Sequence, residues 1–75
     1  KITIGRDTSN DIVVDNKLAS RHHAVIQKIK DAYFLKDENS TNGTLVNGVK
    51  VPKDKYIKLN IGDQIQIGSM VFVIS

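Results

Sequence analysis

The chain has 75 residues, 40% hydrophobic and 25% charged, with a formal net charge of +3 and no cysteine. One small domain is the most that length allows; a disulfide framework and a thiolate metal site are excluded, and no apolar run reaches the length of a membrane helix. The mild positive balance fits an anionic partner but falls short of the dense basic stripe of a non-specific nucleic-acid binder.

Taken in order, the segments are short and alternate in polarity. "KITIG" at the start sets Ile2 and Ile4 on one face with a period of two. "DIVVD" is an apolar run between aspartates, "HAVIQKIK" alternates loosely, and "AYFLKD" follows a turn at Lys30 and Asp31. "TLV" and "VKV" flank Asn47-Gly48, the strongest short-range signal for a hairpin. "YIKL", "DQIQI" and "MVFVIS" complete the series, separated by turns at Asn60 to Gly62 and at Gly68-Ser69. No window sustains a helical period, so the chain is expected to be all-β, a two-sheet sandwich or a barrel, in a single domain over residues 1–75. Lys50, Lys53, Lys55 and Lys58 read as a solvated edge that opposes sheet-to-sheet aggregation.

Three connections stand out: "RDTSN", "NKLASRH" and "ENSTNG" are rich in arginine, serine, threonine and asparagine. If they meet at one end of a rigid sandwich, they supply guanidinium, hydroxyl and backbone N–H donors of the kind a phosphate group needs. Enzymatic readings are weaker. Ser20 and His23 lie three apart without a nucleophile-elbow motif, and small chains offer many accidental Ser/His/Asp sets. His22 and His23 point to opposite faces if extended, and no carboxylate completes a ligand set, so neither metal nor cofactor is expected. Four aromatic residues are too few for a base-stacking platform, so no nucleic-acid partner is expected either.

Read together, "GR" after the first segment, "SRHH", "STNGT", the following "NG" and "LNIGDQIQIG" resemble the forkhead-associated (FHA) domain, from Gly5 to Gly68. The resemblance implies a β-sandwich that recognises phosphothreonine in a partner protein through loops at one end, without catalysis. It implies an upstream Ser/Thr kinase. It further implies that one or two strands usual before the G-R strand are lacking here, through excision from a longer protein or a shortened variant. A cytoplasmic setting is expected, without membrane insertion.

Residue by residue, Arg6 matches the family arginine that grips phosphate, and Ser20 the serine whose hydroxyl donates to it. Arg21 adds a second charge at a variable position. Thr41 matches a hydroxyl residue of the phosphate cradle, and Asn42 the asparagine that hydrogen-bonds the ligand's main chain. His23, Gly5, Gly43, Asn47 and Gly48 match residues that support the binding loops. The alternative for Arg6 is an ion pair with Asp7 or Asp11. Glu38 and Asn39 depart from the family pattern, which commonly has an apolar residue and a glycine; Asn39 tolerates the left-handed region. The competing function is a degenerate domain of this type that packs into an assembly without phosphate. Intact Arg6, Ser20, Thr41 and Asn42 argue against it.

Overall fold

The computed structural model describes residues 1–75. It contains nine strands and no helix: β1 (Ile2–Gly5), β2 (Ile12–Val13), β3 (Ala24–Ile29), β4 (Ala32–Asp37), β5 (Leu45–Val46), β6 (Val49–Lys50), β7 (Tyr56–Leu59), β8 (Gln64–Ile67) and β9 (Met70–Val73). Every segment expected to be extended forms one of them. "DIVVD" contributes only its middle, because the Val14 N–H bonds Gly5 O at 2.8 Å and the Asn16 N–H then turns back to Val14 O at 2.9 Å.

The strands build two sheets, ordered β2-β1-β3-β4-β7 and β6-β5-β8-β9. All pairings are antiparallel except β1 with β2, which run parallel with Ile4 opposite Ile12. Register carries the core. Ile4 lies opposite Ala24, Ile26 opposite Leu35, and Leu35 opposite Ile57. The two-residue period therefore stacks these side chains on one face, where they meet Ile65 and Ile67 of the second sheet. Val14, Ala19, Val51 and Leu59 complete the buried cluster.

Asn47 and Gly48 sit at φ of 52° and 79°, the pair of positive values that a type I′ turn requires between β5 and β6. Asn39 is also left-handed, at φ 56°. Lys50 lies on β6 and Lys58 on β7, each an outer strand of its sheet, with exposed Lys53 and Lys55 between them. The charged side chains thus line two open edges. The remaining long edge, β9, has no strand on its outer side and exposes Met70, Val71 and Val73. No helix is long and apolar enough to cross a membrane.

Candidate functional site

The three polar connections do meet. Residues 5–7, leaving β1, run beside residues 20–21: the Arg6 N–H donates to Ser20 O at 2.9 Å and the Asp7 N–H to Arg21 O at 3.2 Å. The 38–44 loop joins them through Thr41, whose N–H donates to Ser20 Oγ at 3.0 Å. Asn42 adds a second link, its Nδ2 donating to Leu18 O at 2.8 Å. Arg6, Ser20, Arg21, Thr41 and Asn42 are therefore carried by one hydrogen-bonded cluster of loops, and all but the half-buried Ser20 are exposed.

His23 fixes this cluster from inside. Its side chain is fully buried, Nδ1 accepts the Ser20 N–H at 3.0 Å, and Nε2 lies 2.8 Å from Gly43 O. An acceptor at Nδ1 and a carbonyl at Nε2 require the neutral Nε2–H tautomer. One ring thus spans from the serine loop to the 38–44 loop. Gly5 has a different job. A Cβ there would overlap the Arg21 carbonyl oxygen and lie 2.8 Å from Asn10 Nδ2, so only glycine lets β1 run this close.

The charges at this end are unevenly committed. The chain's two arginines are both here, and neither forms an ion pair with a carboxylate. The flanking acids are engaged otherwise. Ser9 donates its hydroxyl and backbone N–H to Asp7, and these bonds hold that carboxyl below its ordinary range, helped slightly by the neighbouring His22 and Arg21. Asp11 is lowered in the same way by the backbone and hydroxyl of Thr3. In place of ion pairing with Arg6, Asp7 is held in a local turn with Ser9 and Asp11 is bonded across to Thr3 of β1. The linked loops thus carry two guanidinium groups, the hydroxyls of Ser20 and Thr41 and the Asn42 carboxamide. Ser20 Oγ accepts from Thr41, which leaves its own proton to donate. This is a set of donors and positive charge suited to a tetrahedral dianion.

The FHA domain model matches residues 2–68 of this chain. This chain belongs to the FHA domain family. It is 42% identical over 72 residues, 96% of its length, to the ABC transporter ATP-binding/permease protein Rv1747 of Mycobacterium tuberculosis, of which it spans 8%. EmbR of Mycobacterium tuberculosis, solved in complex with a low-affinity phosphopeptide, matches with a TM-score of 0.90 and 39% identity over 96% of this chain and 18% of that one. A structure solved in work on phosphothreonine-dependent FHA domain interactions matches with a TM-score of 0.87 and 32% identity, covering 96% of this chain and 72% of that one. The domain thus spans a small part of the transporter and of EmbR.

Within this FHA domain, several residues at the site escaped the reading of motifs. Asn10 is buried, and its Nδ2 donates to both Asp7 O at 2.9 Å and Arg21 O at 2.7 Å, pinning the two arginine-bearing loops together. Asp37, Ser40 and Thr44 form a buried polar group beneath the 38–44 loop. The alternation of β4 held a partial signal, since Asp37 is in phase with Leu35 and so falls on the inward face, but its partners are not readable from that phase. Asn47 and Gly48 stand apart from the loop cluster. The Asn47 side chain bonds Asp63 Oδ1 and the Gln64 N–H, each at 3.0 Å, so it braces the start of β8 rather than the arginine, serine or 38–44 loops.

Proposed function

We propose that this FHA domain is a non-catalytic module that binds phosphothreonine-containing segments of partner proteins, and that Arg6, Ser20, Arg21, Thr41 and Asn42 make the contacts. The carrying observation is that both arginines of the chain stand without carboxylate partners on loops tied together through Ser20. Arg6 grips the phosphate with its planar fork, Arg21 adds charge, and Ser20 and Thr41 donate hydroxyl hydrogen bonds. The Asn42 carboxamide, already tied to Leu18, offers its remaining groups to the ligand's main chain. The similarity to phosphopeptide-bound EmbR supports this assignment. A Ser/Thr kinase acts upstream of such a module, which works in the reducing interior of the cell.

The test is calorimetric or anisotropy titration with members of an oriented phosphothreonine library, each beside its unphosphorylated twin. Binding only of the phosphorylated form is expected; equal binding of both favours a phosphate-independent assembly role. A glutamate peptide serves as a further control. Phosphate carries about −1.5 to −2 charges and three acceptor oxygens, against one charge and a flat carboxylate for glutamate. Glutamate is therefore expected not to substitute.

A further inference from the structure

Beneath the site lies the buried Asp37 carboxylate. It is 0% exposed at the end of β4 and belongs to neither the core nor the ligand-facing surface. Its Oδ1 accepts the Ser40 hydroxyl at 2.6 Å and the Thr44 hydroxyl at 2.7 Å, and its Oδ2 accepts the Ser40 N–H at 2.9 Å. Ser40 Oγ then receives the Gly43 N–H at 3.0 Å. Residues 40–44 are thus wound around one anion, with Thr41 and Asn42 left at the outer bend. The carboxylate also lies 3.9 Å from Nε2 of His23, the ring that holds Gly43 O. The Asp37 backbone pairs with Ala24 of β3, and its carbonyl accepts the Asp54 N–H of the β6–β7 connection at 3.0 Å, so the anchor is fixed outside the loop it holds. No buried side-chain polar atom here lacks a partner.

From this geometry we infer that Asp37 is a positioning residue for phosphopeptide binding: its carboxylate sets the bend that presents Thr41 and Asn42 to the ligand. The inference rests on the phosphothreonine reading for its consequence, but the positioning itself is measurable without ligand. Only a carboxylate offers acceptors to all three donors at once. An amide in its place turns one acceptor into a donor and sets it against a hydroxyl or an N–H. The displaced bend then breaks the Thr41 N–H bond to Ser20 Oγ, which Asp37 does not itself touch.

Two readouts on folded protein decide the matter: affinity for the best phosphothreonine library peptide, and hydrogen exchange of the Thr41 amide. Asp37→Asn is expected to weaken binding about tenfold or more, from the loss of charge-assisted bonds, and to speed Thr41 exchange. Ile65→Val, a core change at a residue that takes no part in these bonds, controls for lost stability and is expected to alter neither. Thr44→Val removes one donor to the carboxylate and should move both readouts in the same direction, while Thr44→Ser restores them. If Asp37→Asn does not fold, the Thr44 pair decides by the same measurements. Parental affinity and parental Thr41 exchange in folded Asp37→Asn, or in Thr44→Val where that variant must decide, overturn the inference. If the unaltered protein binds no phosphothreonine peptide, the functional reading falls, and Thr41 exchange alone decides the role of Asp37.

Discussion

Arg6 and His23 belong to one cluster, the first as a proposed ligand contact and the second as a buried brace. Arg6 is exposed and makes no ion pair, so Arg6→Ala should change stability by no more than about 0.5 kcal/mol. A charge-assisted hydrogen bond contributes about 1.5–3 kcal/mol, so phosphopeptide affinity should fall by about 10- to 150-fold. His23→Ala should act the other way. It strands the Ser20 N–H and the Gly43 carbonyl inside the protein, at about 1–3 kcal/mol, and its melting temperature should drop. Thermal denaturation and peptide titration on both variants check this, and a His23→Ala protein that melts like the parent yet cannot bind would make the histidine a ligand contact. At the same scale, phosphothreonine should bind more tightly than phosphoserine if its methyl seats in an apolar recess. One methyl is worth roughly 1–3 kcal/mol, or about 10–200-fold. Equal affinity of matched peptides argues against that recess.

At the scale of elements, the site depends on how closely β1 passes the serine loop. The Arg21 carbonyl receives both the Asp7 N–H and Asn10 Nδ2, and it lies where a side chain on residue 5 would stand. Gly5→Ala must therefore push two backbones apart. Overpacking of this kind costs about 1–3 kcal/mol. Because the displaced carbonyl belongs to Arg21 and the next N–H to Arg6, affinity should fall along with stability. Melting and titration of Gly5→Ala test the pairing of the two effects; parental values for both would show that the gap can open at no cost. The hairpin of β5 and β6 is a second case of geometry imposed by turn residues, but its brace through Asn47 reaches Asp63 and Gln64 instead of the ligand loops.

For the molecule as a whole, four aspartates couple folding to acidity. In Asp37, burial raises the carboxyl pKa, and the hydrogen bonds from Ser40 and Thr44 outweigh it and hold the group below its ordinary value of 3.8. Asp7, Asp11 and Asp63 are lowered by hydrogen bonds from Ser9, Thr3 and Asn47 respectively. A lowered native pKa means that the unfolded chain binds protons more readily. The stabilisation is then fully present above about 3.8 and is lost as pH falls through the native values. Melting temperature from these four groups should stay level from neutral pH down to about 5 and fall below it, and Asp37→Asn should show a shallower acid limb. An unchanged limb in that variant would remove Asp37 from the linkage.

The all-β class, the nine strands and the polar loops between them were legible in the sequence, because two-residue alternation and turn chemistry are local properties of the chain. Ile2 and Ile4 and the Asn47-Gly48 turn read correctly as local features. The order of strands, the parallel pairing of β1 with β2, and the roles of Asn10 and Asp37 were not legible. Asn10 acts on the Arg21 carbonyl and Ser20 receives the Thr41 amide, both across the folded loops, while Asp37 gathers the nearby Ser40 and Thr44 only because the packed sheets bury it. A polar side chain reads alike whether it faces water or a buried donor. Its partners are fixed only when the sheets pack, exclude water and require every enclosed polar group to be paired.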